Sequence, residues 1–171
     1  MKADNIVLVG FMGTGKSTVG RLLASKLGYE YVDTDQLIES EQGISIAELF
    51  KLHGEPYFRE VESSVLRKVV SRSGQVVATG GGAVLAEHNR EAMLSGGYVV
   101  ALSASKEAII ARVKGDRARP LLQGDLEQRV EKLLTDRKNA YDFADFMMDT
   151  SELSADEAAE LIVMKKKEAG Y

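Results

Sequence analysis

A chain of 171 residues, 44% hydrophobic and 28% charged, has the balance of one globular domain with its own core, which excludes a disordered or fibrous chain. It contains no cysteine, and so no disulfide, thiolate nucleophile, iron–sulfur cluster or cysteine-ligated zinc. A net charge of −4 argues against wholesale nucleic-acid binding, which needs a basic face, yet leaves room for a local arginine cluster around a small anion.

Met1 to Asp4 is too short for a targeting signal, and the apolar run Ile6 to Val9 stops at a glycine. No apolar stretch is long enough to cross a bilayer, so a cytoplasmic protein with no membrane partner is expected. Asn5 to Val9 reads as the first strand. Gly10-Phe11-Met12-Gly13-Thr14-Gly15-Lys16-Ser17 follows it with the spacing G-x-x-x-x-G-K-[S/T], and Thr18 comes next. Glycines 10, 13 and 15 let successive amide N–H groups face phosphate oxygens. Lys16 adds a point charge for the outer phosphates, Ser17 offers a hydroxyl to magnesium, and the helix opening there aims its positive end at the same anion. Val19, Leu22, Leu23 and Leu27 then share one helical face suited to packing on a sheet, and Gly28 stops the helix.

Glu30 to Val32 reads as the second strand and runs into Asp33-Thr34-Asp35, two carboxylates at the carboxyl edge of the sheet, where open α/β folds bind ligands. The third strand, Gln75 to Ala78, runs into Thr79-Gly80-Gly81-Gly82 without an acid, which makes Asp33 the better candidate for holding a magnesium-bound water. Asp35 would face the acceptor or, alternatively, cap the helix starting near Gln36. Glu39 to Glu41 reads as a solvated face. Ser45 with Glu48, and Ser154 with Glu157, have the spacing of capping boxes, and Pro56 sits where a first helical turn tolerates it. Arg59 with Glu62 at i+3 offers a held planar fork that suits a carboxylate; standing alone, the pair reads as a surface ion pair. The three glycines after the third strand give backbone N–H groups access to a bound oxygen, or form only a flexible turn. His53 and His88 are too far apart for an HExxH pair and read as ordinary histidines.

Tyr98 to Leu102 and Phe146 to Met148 complete five strands separated by helices, which predicts a parallel α/β sheet in a single domain over residues 1–171. Gly115 and Gly124 bracket a short basic loop with Arg117 and Arg119, as a closing lid needs. Arg137 lies on a helix expected from Leu126 to about Tyr141.

Taken together, GFMGTGKST, DTD, GEPYFREVE, TGGG, RPLL and the helix with Arg137 and Tyr141 resemble, in order and over essentially the whole chain, the shikimate kinase family. The resemblance implies a P-loop NTPase of nucleoside-monophosphate-kinase-like fold. That fold is a three-layer α/β/α domain whose five-stranded parallel sheet runs 2-3-1-4-5, with a mobile lid at about 115–124 and substrate-binding helices at about 35–62. It implies transfer of the terminal phosphoryl group of ATP, with Mg2+, to the 3-hydroxyl of shikimate, in aromatic amino acid biosynthesis. By the same resemblance Asp35, Lys16 and Arg119 are catalytic; Gly13, Thr14, Gly15, Lys16, Ser17, Thr18, Arg112 and Arg119 bind ATP, with Arg112 stacking on adenine. Asp35, Arg59, Gly81, Gly82, Arg137, Phe50 and Phe58 bind shikimate, and Ser17 and Asp33 serve the metal. Two departures stand out: Asn139 where the family often has proline, and a loop from Asp149 to Ala155 poorer in arginine than in some members. A nucleoside-monophosphate acceptor would need a second base-reading pocket, for which no segment is an obvious candidate, and no long exposed apolar stripe argues against a monomer.

Overall fold

A parallel strand covered by helices on both faces is apolar at nearly every position, and this is why the runs beginning at Asn5, Gln75 and Tyr98 become the centre of a sheet. The computed structural model describes residues 3–114 and 125–171; the expected lid, with Arg117 and Arg119, lies outside the described residues. The strands are β1 (Asn5–Gly10), β2 (Glu30–Asp33), β3 (Gln75–Ala78), β4 (Tyr98–Ser103) and β5 (Phe146–Asp149). Among the described residues they form one five-stranded sheet in the order β2-β3-β1-β4-β5, all neighbours parallel.

Strand alternation sorts the core into two layers. Ile6 and Leu8 of β1, with Tyr98, Val100 and Leu102 of β4, pack under α1 (Lys16–Leu27) and α7 (Ala155–Glu168). Val7 and Val9, with Val99 and Ala101, face α3 (Ile46–Val70) and α4 (Glu87–Gly96). Below β3, Val77 packs with Ile38 of α2 (Thr34–Gln42) and with Leu49, Phe58, Val65 and Val69 of α3. A smaller cluster joins Phe11 and Met12 to α5 (Lys106–Val113) and α6 (Leu126–Asp136). None of the described helices is long and apolar enough to cross a membrane.

Local chemistry accounts for the ends. Ser154 and Glu157 make the full reciprocal capping box on α7, whereas Ser45 accepts from the Glu48 amide without the return bond. Gly54 (φ 82, ψ 171) breaks α3, a conformation open to glycine, so that Pro56 opens the second half in a first turn, where its missing N–H costs little. The acidic stretch is not merely solvated: Glu39 Oε2 accepts from the Ile46 amide at 2.9 Å and so caps the start of α3, and Glu41 pairs with Lys68 at 2.8 Å.

The helix expected to reach about Tyr141 ends at Asp136, with Arg137 as its C-cap (φ −106, ψ 16). Beyond it the amides of Lys138, Ala140, Asp142 and Ala144 each bond the carbonyl three residues back, a chain of tight turns. The reason is packing. Val130, Leu133 and Leu134 of α6 serve the cluster beside α5, while Ala140, Tyr141, Phe143 and Ala144 serve the layer under α3 and α4. A straight helix cannot do both.

Candidate active site

The carboxyl ends of β1, β2 and β3 open into one cleft of about 800 Å³ that also takes in residues from α3, α5 and the loop after β5. This is the edge at which parallel α/β sheets bind ligands. Its floor is the Gly10–Ser17 loop. Gly10 has φ 144, and a Cβ there would lie 2.3 Å from the Leu102 carbonyl, so only glycine lets β1 turn into the loop beside β4. Lys16 Nζ donates to the carbonyls of Gly10 at 2.7 Å and Phe11 at 2.9 Å, which holds the ammonium across the loop. Thr14 is fully buried and its hydroxyl donates inward to the Phe11 carbonyl at 2.7 Å, leaving its amide rather than its side chain to meet a phosphate. Ser17 and Thr18 sit exposed in the first turn of α1 and line the cleft.

The Asp-Thr-Asp segment divides three tasks. Asp33, not Asp35, caps α2: its Oδ1 accepts from the amides of Asp35 at 2.9 Å and Gln36 at 3.1 Å. Thr34 is buried and its hydroxyl reaches the Ala78 carbonyl at 3.4 Å. Asp35 is left to the cleft, its Oδ1 lying 2.9 Å from where a Cβ on Gly80 would stand.

One end of the cleft is built around the glycines after β3. Arg59 Nη1 donates to Glu62 Oε1 at 2.8 Å and Nη2 to Glu55 at 3.3 Å. Glu62 is 1% exposed, which rules out the surface-pair alternative. Burial pushes the Glu62 carboxyl above the ordinary glutamate range, against the pull of Arg59, and Asp35 adds to the rise. Its Oε2 and Arg137 Nη1 are both buried without a hydrogen-bond partner among the described residues. Arg137 is 6% exposed, packs near the Phe11 ring, and lies 3.3 Å from the Cβ position of Gly81; Arg59 Nη2 lies 2.5 Å from that of Gly82. Two guanidinium groups thus rest on two consecutive glycines. Phe50 and Phe58, ring centroids 4.8 Å apart, line the apolar wall.

At the opposite end Arg112 donates to the Gly13 carbonyl at 2.9 Å and to the Thr150 carbonyl at 3.2 Å. Thr150, which the sequence reading missed, is 4% exposed; its hydroxyl is 2.8 Å from the Thr14 carbonyl and 3.0 Å from that of Ser103. It ties the phosphate loop to the ends of β4 and β5. A threonine at a strand end carries no such signal in sequence. His88 contacts Ser63 at 3.1 Å and His53 stacks near Tyr57 at 4.6 Å, so both histidines act locally.

Ser17 and Asp33, the two residues expected to serve a metal, both line the cleft, and no cluster of three or more acidic or histidine groups able to hold a metal forms among the described residues. Such a sparse donor set fits Mg2+, which binds through one or two protein ligands, water and substrate phosphates, and does not fit a cage-bound metal.

The Shikimate kinase family model matches residues 12–166. A shikimate kinase of Geobacter sulfurreducens is 51% identical over 154 residues, covering 90% of this chain and 85% of its own, and one of Pelotomaculum thermopropionicum is 43% identical over 168 residues, covering 98% of each. Among solved structures, a shikimate kinase from Acinetobacter baumannii in complex with shikimate superposes with a TM-score of 0.94 at 39% identity, over 98% of this chain and 95% of that one. The shikimate kinase of Aquifex aeolicus does so at 0.84 and 33% identity, over 96% and 97%.

Proposed function

The chain belongs to the shikimate kinase family, and it phosphorylates shikimate with ATP in aromatic biosynthesis; we propose that the cleft divides this work as follows. Arg59 and Arg137 hold the shikimate carboxylate, with the backbone of Gly81 and Gly82 and the rings of Phe50 and Phe58 shaping the pocket around it. One observation carries this assignment: two arginines packed on adjacent glycines, one of them with a buried, unpartnered Nη1, form a site for a small planar anion. Asp35, on the same side of the cleft beside Gly80, orients the 3-hydroxyl toward the nucleotide.

Phosphoryl transfer passes through a loose transition state, so the protein mainly positions groups and neutralises charge. The amides of Gly13, Thr14 and Gly15 and the start of α1, with Ser17 and Thr18, cradle the phosphates. Lys16 exchanges its loop carbonyls for phosphate oxygens, and Arg112 binds the nucleotide at the adenine end. Arg119, from the basic lid segment, neutralises the transferring group; this assignment rests on the RPLL motif alone. Ser17 and Asp33 would hold Mg2+, which supplies charge neutralisation at the phosphates. The enzyme works as a cytoplasmic monomer.

ADP release in a coupled assay with ATP and magnesium, comparing shikimate, gluconate, a nucleoside monophosphate and no acceptor, tests the reading. Turnover should depend on shikimate. Turnover with the nucleoside monophosphate alone would leave the phosphate cradle standing and remove the carboxylate pocket.

A further inference from the structure

A run of three glycines has the most permissive backbone a chain can offer, so a loop that must present fixed groups needs its peptide planes held from outside. Two of the three carbonyls are held locally: Gly80 O accepts from the Ala83 amide at 3.1 Å and Gly82 O from the Leu85 amide at 3.2 Å. The middle one is not. Gly81 O accepts instead from the Tyr141 hydroxyl at 2.8 Å, across a sequence separation of 60 residues.

Tyr141 lies in the tight turns between α6 and β5, half-buried against the layer under α3 and α4. Burial keeps its phenol protonated well past neutrality, and Arg137 and Arg59 are both near enough to pull the other way. In a trans peptide the carbonyl of Gly81 and the N–H of Gly82 point in opposite directions. Holding the first toward Tyr141 therefore fixes the second away from it. The same peptide joins the two glycines on which Arg137 and Arg59 rest, and Gly81 also lies against Gly10 and Met12 of the phosphate loop.

The geometry points to Tyr141 as a positioning residue for the acceptor pocket: its hydroxyl locks the Gly81–Gly82 peptide in the one orientation that supports both arginines. The inference rests on the reading of Arg59 and Arg137 as the carboxylate site. It also explains why a tyrosine, and not an equally well-packing phenylalanine, serves this turn.

The test is steady-state kinetics, shikimate titration calorimetry and thermal unfolding on Tyr141→Phe, Tyr141→Leu and Arg137→Ala in the full chain. Phenylalanine removes one neutral hydrogen bond, so the KM and Kd for shikimate should rise about fivefold, while the KM for ATP and kcat stay within about twofold. Leucine should give the same rise in KM with a further loss of Tm from the missing ring. A Tyr141→Phe enzyme with unchanged shikimate KM overturns the proposal, as does a rise in KM seen only with leucine, which would assign the effect to the ring. If Arg137→Ala weakens shikimate and Tyr141→Phe does not, the positioning role alone falls; if neither does, the carboxylate-site reading falls with it.

Discussion

Replacing Gly82 by alanine isolates the contact between the glycine loop and Arg59. The backbone permits it: Gly82 has φ −94 and ψ 0, an ordinary conformation for the third residue of a type I turn. The added Cβ, however, would stand 2.5 Å from Arg59 Nη2, 2.7 Å from Nη1 and 2.8 Å from Cζ. The guanidinium must retreat by roughly 0.9 Å to reach ordinary contact at 3.4 Å, and Glu62, bonded to it at 2.8 Å, resists. A displacement of that size forfeits one charge-assisted hydrogen bond to the substrate carboxylate, about 1.5–3 kcal/mol, which is a tenfold to hundredfold rise in shikimate KM, as an order of magnitude. Gly81→Ala is the internal control, because its Cβ would meet Arg137 Nη1 at only 3.3 Å. A coupled ADP-release assay over a shikimate titration at saturating ATP should rank Gly82→Ala well above Gly81→Ala, with the KM for ATP unchanged and the Tm nearly so. A folded Gly82→Ala enzyme with normal shikimate KM would refute the reasoning, since Arg59 would then not bind the acceptor from the place where it now rests.

Asp35→Asn should lower kcat by about a hundredfold or more while ATP affinity, measured by calorimetry, is retained; near-normal turnover would remove Asp35 from the reaction. Because the Glu62 carboxyl lies above its ordinary 4.5, lowering pH should neutralise it, loosen Arg59 and raise shikimate KM before ordinary glutamates protonate. Asp35 and Arg137 face the same group, so Glu62→Gln is the control: its KM should be raised already at neutral pH and lack that acid limb. The linked stability has the opposite sign. With the folded pKa above the unfolded one, Glu62 favours the folded state below 4.5, and that contribution is lost as pH rises through the folded value, which a pH series of urea midpoints for wild type and Glu62→Gln will show. Thr150→Val keeps the volume but loses the hydroxyl that bridges the Thr14 and Ser103 carbonyls, and should raise the KM for ATP severalfold, by about 1 kcal/mol, with shikimate KM little changed.

The strands were legible in the sequence to within a residue at each end because each is a short run closed by a glycine, an acid or a polar turn, and in the central β1, β3 and β4 burial on both faces leaves no other pattern open, while the edge strands β2 and β5 are partly exposed. The Gly10–Ser17 loop was legible because its chemistry is local: every group it needs lies within eight consecutive residues. What stayed hidden depends on distant partners. Nothing near Asp136 announces the end of α6; the helix stops there because the next apolar residues belong to another layer of the core. Nor could spacing alone say which aspartate of Asp-Thr-Asp caps α2, since either can. The answer comes from β2, whose last residue is Asp33: a strand-ending residue keeps extended backbone (φ −103, ψ 115), as an N-cap requires, and its carboxylate turns to the amides ahead. Once Asp33 caps and Thr34 is buried against Ala78, Asp35 sits in the first helical turn with its backbone amide already held and its side chain committed to the cleft beside Gly80. The motif needs two aspartates because one fixes the backbone that aims the other.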